Sequence, residues 1–306
     1  MLTKTVKRKI MKLGPSTMVI SLPSKWVKTT NLKAGDEIDL EQENKNLVIS
    51  IDGKNAIVKE TIDLSKYDKL MKRILVSRYL KGDDEIEVIF DTLDKSRAIQ
   101  RRIDELIGVE VIDQGKDRIL IKDIASNEGD NFDNIIKRVL YLLNTIADES
   151  LKSIKEKNTD LEYTSDIEKN INKFTDYCFR ILNKKGHADH KKTAVLYCIL
   201  FLIEEIADEY KNLSKYITDN KVQLGKELVD TYENINNYNK DMQKLFLKFD
   251  MEHAVQLAGE RDSIIKNIER QLKNTKAKNT DIIILKHFET ITDHIIKIMG
   301  QLLNIN

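Results

Sequence analysis

The sequence predicts an α+β protein of several domains: a small β-rich head, a small α+β connector and a duplicated helical body. Three observations predict it. The only two prolines in 306 residues, Pro15 and Pro23, lie near the start, among short alternating apolar runs. Between about residues 54 and 129, strand and helix patterns alternate. From residue 130 onward there is no proline, and long apolar stripes recur at helical spacing.

Length and composition set the outer limits. A chain of 306 residues exceeds the usual size of one core, so two or three domains are expected. It is 41% hydrophobic and 33% charged, with a formal net charge of +1, which suits a core-forming protein rather than a disordered one. The start is basic without an apolar stretch behind it, so no secretory signal is read there. The longest apolar run, Ala194 to Ile203, ends at Glu204 and Glu205 and is too short to span a bilayer. Cys178 and Cys198 form no CxxC pair and read as reduced core cysteines. The expectation is a cytoplasmic protein without membrane insertion.

The first domain is read over residues 1–53. "TMVISLP" alternates as a strand and ends at a proline. "SKWVKTTN" gives one or two helical turns, with Ser24 placed to cap them and Trp26 read as core. A turn at Gly35-Asp36 leads into two strands, "EIDLEQ" and "LVISI", around a polar "ENKN" hairpin. About 50 residues bury too little apolar surface to be stable alone, and pairing with a second copy would supply the rest. From Met1 to Gly35 there are eight Lys or Arg residues and no Asp or Glu. Such an unopposed patch attracts phosphates. Lys4, Lys7, Arg8, Lys9, Lys12 and Lys25 are the candidate contacts to double-stranded DNA. Aromatic residues are not interleaved with them, so a stacking mode for single strands is not supported.

These residues resemble the SpoVT-AbrB domain, also seen in antitoxins of the MazE type. Gly14, Ser21, Leu22, Pro23, Leu32, Gly35, Asp36, Leu47 and Ile49 match its ordered landmarks. The resemblance implies a swapped-hairpin β-barrel formed by two copies of the chain. It also implies DNA contact through the basic N-terminal strands and loops.

The connector is read over residues 54–129. "SKYDKLMKRILVSRYLKG" is helical, with Tyr67, Leu70, Met71, Ile74 and Leu75 on one face, and "DEIEVIF" is a strand. "DKSRAIQRRIDELIG" is a second helix, with Ile99, Ile103, Leu106 and Ile107 inward and Gly108 at its end. "VEVIDQ" and "DRILIKDI" form a hairpin across Gly115. The order α-β-α-β-β suggests a small α+β layer. It carries no Gly-rich phosphate loop, nucleophile motif or metal-ligand spacing.

The body is read over residues 130–306, as two three-helix repeats at about 130–220 and 225–306. "FLIEEIADEYKNLSKYI" and "KHFETITDHIIKIMGQL" align so that Glu204 matches Glu289, Ile206 matches Ile291 and Asp208 matches Asp293, each 85 residues apart. Duplicated three-helix units make a pair of bundles. Residues four apart share one helix face, so each acidic pair could chelate a cation if a second helix brought more oxygens. An isolated E-x-x-x-D is also the ordinary pattern of a solvated charged face.

The repeated unit resembles the PhoU family, through Glu204, Ile206, Ala207, Asp208 and Asn212 in the first copy and Glu289, Ile291, Asp293 and His294 in the second. That resemblance implies a divalent, iron or zinc ion held by Glu204, Asp208, Glu289 and Asp293. The pattern departs from the family at Asn172 and Lys266, where carboxylates are expected, and at Lys297. Lys266 and Lys297 add charge that opposes a cation.

No nucleophile lies beside a base and no cofactor loop is visible, so an enzyme is not expected. The order of head, connector and body resembles archaeal phosphate uptake regulators. Two functions follow from that resemblance. The first is a homodimeric, DNA-binding transcriptional regulator of phosphate uptake. The second is an adaptor that docks on a phosphate transporter or its signalling kinase, with the head serving only to dimerise.

Overall fold

The computed structural model describes residues 6–43, 46–51, 57–124, 132–158, 160–274 and 278–306. Lys4 and the proposed boundaries at 53/54 and 129/130 lie outside them. Contacts divide the chain into two units, Met1–Ile57 and Val58–Asn306.

The first unit consists of hairpins and one short helix. β1 (Met11–Leu13) pairs antiparallel with β2 (Thr17–Val19), and Gly14, at φ +71°, makes the left-handed turn that reverses the chain. α1 (Ser24–Thr29) follows. Ser24 does not cap it: Pro23 holds the N-cap position and no side chain bonds there. The fixed φ of proline leads the chain into the helix instead. β3 (Asp39–Glu43) and β4 (Asn46–Ser50) form a second antiparallel hairpin, in its own two-stranded sheet. Among the described residues of this unit none is buried. Ile10, Met11, Leu13, Met18, Ile20, Leu40 and Leu47 all expose apolar surface, and Trp26 is only half-buried.

The second unit opens with a four-stranded sheet of order β5-β6-β8-β7. β5 (Lys59–Asp63), missed in the sequence, pairs parallel with β6 (Glu85–Ile89). Its sequence, KETID, has one buried side chain, Ile62, so its alternation is masked by charge. β7 (Val109–Gln114) and β8 (Arg118–Asp123) form the expected hairpin. The observed order is therefore β-α-β-α-β-β, with one strand more at the front.

α2 (Met71–Lys81) crosses between the parallel strands, and α3 (Leu93–Ile103) connects β6 to β7. α2 starts later than its apolar pattern suggests. Leu70 sits at φ 63°, a left-handed conformation that interrupts the helix, so Tyr67 and Leu70 are exposed. Met71, Leu75, Val76 and Tyr79 take the core face instead. Thr92 caps α3 by accepting a hydrogen bond from the Lys95 backbone N–H at 3.3 Å.

Six helices follow among the described residues: α4 (Phe132–Lys155), α5 (Tyr163–Lys184), α6 (His190–Asn220), α7 (Lys226–Leu247), α8 (Met251–Leu272) and α9 (Asn279–Leu303). One continuous core runs through α4 to α9, from Val139 and Leu143 to Ile291, Ile295 and Ile298. Buried polar groups also tie α4 and α6 to α7. Asn236 donates to the Ala147 carbonyl at 2.7 Å and accepts from the Tyr210 hydroxyl at 2.9 Å. Ser150 and Tyr232 share a hydrogen bond of 2.7 Å. Cys178 is buried as expected, but Cys198 is exposed, because it falls beside the stripe of Leu196, Ile199, Leu200 and Ile203 rather than on it. Among the described residues no helix is long and apolar enough to cross a membrane.

The sheet layer is fastened to the body through α5. The guanidinium of Arg180, 3% exposed, donates to the carbonyls of Tyr79 (2.5 Å) and Asp83 (2.8 Å) and to the carboxylate of Asp123 (2.7 Å). It also lies over the Tyr79 ring, 4.8 Å from its centre. Tyr177 of α5 enters the sheet-layer core, and Lys184 binds Asp123 at 2.9 Å. Arg180→Met should lower unfolding stability by about 3–5 kcal/mol, because it leaves two carbonyls without their donor and Asp123 with Lys184 in place of two cations. Arg180→Lys should recover only part of the loss, since one ammonium cannot reach three acceptors in the same plane. Urea unfolding checks both, and a loss below about 1 kcal/mol for Met would rule out this fastening.

Candidate functional site

The basic candidates lie at the start of the first unit. Lys7, Arg8 and Lys9 precede β1, Lys12 lies on β1 opposite Met18, and Lys25 is on α1. All five are exposed. Among the described residues none of them forms an ion pair. The charge read in the sequence is therefore available at the surface.

The acidic candidates fall into two places, because α6 and α9 direct their pairs to different neighbours. Glu204 and Asp208 lie one turn apart on α6 and meet α5. Thr175 donates its hydroxyl to Glu204, and Asp176 and Glu168 stand close by. Glu168 is 5% exposed and accepts from the Asn172 amide. Lys211, one turn beyond Asp208 on α6, bridges Asp208 and Glu168, with its ammonium 3.0 Å from Glu168. Asp176 is held by Arg102 of α3 at 2.9 Å.

The electrostatics follow from burial and from crowding of like charges. Burial, then the fields of Asp176, Asp208 and Glu168, push Glu204 up to about 7 despite the hydrogen bond from Thr175. Burial likewise raises Glu168 against the opposing pull of Lys211. Asp176 is raised by burial, with Arg102 opposing it.

On α9 the chemistry differs. Asp293 accepts from Arg261 of α8 at 3.0 Å, and the same guanidinium meets Asp262 at 3.2 Å. Glu289 has no hydrogen-bond partner among the described residues. Lys266 and Lys297 are exposed. His294 keeps a buried Nδ1 without a partner, and burial, then Lys297, lowers its pKa. His287 of α9 instead meets Glu209 of α6 at 2.6 Å.

The four acidic candidates thus form two separate pairs, and each pair already meets a cation of the chain itself. The position between Glu168 and Asp208 where a metal would be shared is filled by the Lys211 ammonium. Beside α9, Arg261 holds Asp293. A multinuclear iron or zinc site needs several free oxygens around one point, and this donor set does not supply them. Among the described residues no group of three His, Cys, Asp or Glu is arranged to hold a metal. Sequence reading missed Thr175, Asp176, Arg102, Lys211 and Arg261. Only Lys211 could have been found, three residues after Asp208 on the same helix face.

Two outcomes test this account. The carboxyl of Glu204 titrates higher in the folded chain than the ordinary 4.5, so the folded state binds more protons there. Its contribution to stability is therefore greatest below pH 4.5 and is lost as pH rises towards about 7. Glu204→Gln should gain melting temperature relative to the parent between pH 5 and pH 8. An offset that does not change with pH would contradict the assignment. Lys211→Ala removes the internal cation, so zinc should raise the melting temperature of the variant but not of the parent. Equal responses of the two proteins would show that Lys211 does not occupy a cation seat.

No protein-family model matches the chain, and no curated protein or solved structure matches it.

Proposed function

We propose that this chain is a homodimeric DNA-binding transcriptional regulator of phosphate uptake. The observation that carries the reading is the surface of the first unit. It combines unpaired Lys7, Arg8, Lys9, Lys12 and Lys25 with apolar side chains that the chain leaves uncovered. A second copy would cover the apolar surface by closing the hairpins into one swapped β-barrel, and doubling would concentrate the charge. Phosphates would be contacted through a field that does not depend on base sequence. The resemblance to the SpoVT-AbrB and PhoU families supplies the biological direction: the head contacts DNA and the body senses a state or docks a partner.

A second reading is favoured by Leu247, Met251 and Val255, exposed around the turn from α7 to α8. Apolar side chains grouped on a helical body suit contact with another protein. In that reading the chain is an adaptor for a phosphate transporter or its signalling kinase, and the head only dimerises.

Sedimentation and DNA titration separate the two. The full chain should sediment as a dimer at micromolar concentration. Replacing Lys7, Arg8, Lys9 and Lys12 with Ala should weaken duplex binding almost equally across sequences. It should also flatten the salt dependence, by about 0.9 in the log–log slope for each phosphate no longer neutralised. A dimer whose DNA affinity survives the four substitutions would leave the adaptor reading in place, and a monomer would remove both.

A further inference from the structure

We propose that the turn between β5 and α2 binds single-stranded nucleic acid. The inference concerns residues of the second unit alone and does not rest on duplex contact by the first. Tyr67 stands in this turn with 50% of its surface exposed, and Leu70 with 67%. Lys69 lies between them, and Lys72 and Arg73 follow in the first turn of α2. All three cations are exposed, and none forms an ion pair among the described residues. Lys66 lies in the field of Asp63 and is not counted with them.

The chain beneath holds this surface in place. Lys95 of α3, whose side chain is 11% exposed, donates to the Ser65 carbonyl at 2.6 Å. The same ammonium meets Asp68 at 3.2 Å and Asp91 at 3.1 Å. The one acid inside the turn, Asp68, is therefore bound to Lys95 rather than to the three exposed cations. The Tyr67 N–H donates to the Leu64 carbonyl at 3.1 Å, which fixes the backbone under the ring. A ring already held at the surface gives up little freedom when a second ring stacks on it.

The combination selects the guest. Every base has a flat face that can stack on a phenol ring, and the phosphates between bases can meet the ammonium and guanidinium groups. Duplex DNA keeps its base faces inside the stack, so it would use the cations and pass over Tyr67. An acidic peptide would likewise leave the ring without a planar partner. A bilayer surface would have to take in the Asp68 carboxylate, 92% exposed, close to the ring.

The experiment is fluorescence anisotropy of the full-length protein with a labelled oligothymidylate of about 15 nucleotides, across a salt series. The parent should bind saturably at low salt. Tyr67→Ala should weaken that binding about tenfold, while Tyr67→Phe, which keeps the ring, should match the parent. Replacing Lys69, Lys72 and Arg73 with Ala should flatten the log–log salt slope by about 0.7 for each phosphate no longer neutralised. All four side chains are exposed, so circular dichroism should show an unchanged fold in each variant. Replacing Lys7, Arg8, Lys9 and Lys12 with Ala tests the first unit separately, and in that background Tyr67→Ala should still cost about tenfold. No saturable binding by the parent would overturn the proposal. So would full binding by Tyr67→Ala, an equal loss in Tyr67→Phe, or an unchanged salt slope after the three substitutions at Lys69, Lys72 and Arg73.

Discussion

Arg180 is the constraint on which the larger unit depends. One guanidinium, almost without solvent contact, holds a carbonyl from α2, a carbonyl from the following turn and a carboxylate at the end of β8. Its own helix belongs to the body. A charge buried this deeply is tolerable only while every partner stays in place. The sheet layer and the body therefore share one folding fate. The sheet covers the end of α5, where Tyr177 leaves the bundle core and joins the sheet core.

The same helix carries the acidic cluster, and the two arrangements adjoin. Asp176 is bound to Arg102 of α3, four residues before Arg180 and within the field acting on Glu204. Burial, and then the neighbouring carboxylates of α5 and α6, raise the pKa of Glu204 and Glu168, and Lys211 opposes the rise at Glu168 from within. The cluster is better understood as a self-compensated network than as a vacant chelate. A network of this kind is sensitive to protonation at neutral pH, because one of its acids titrates at about 7.

Much of the fold was legible because periodicity reports burial. The stripe at Val139, Leu143 and Ile146, and the aligned pair Ile206 and Ile291, are core positions in the folded chain. Both C-terminal hairpin strands of the sheet, and all six long helices, announced themselves by the same means. What stayed hidden had a physical reason. β5 hides because it buries one residue and shows charge elsewhere. The start of α2 was hidden because Tyr67 and Leu70 continue its apolar pattern, while the backbone at Leu70 does not. The acidic pairs on α6 and α9 were visible, but their partners were not. Thr175, Asp176 and Arg261 reach them only through packing of other helices, which spacing along one helix cannot disclose.

The start of β5 has a consequence for how such a chain could be assembled over evolutionary time. Val58 is tied at both its polar groups: its N–H donates to the Asp84 carboxylate at 2.9 Å, and its carbonyl accepts from Asp84 and Glu85 at 2.9 and 3.0 Å. The parallel ladder to β6 begins at the next residue, Lys59. All pairing of the sheet thus lies downstream of one well-anchored residue, and the two units part immediately before it. A recombination event at this seam would exchange whatever precedes it without removing a single rung of the sheet.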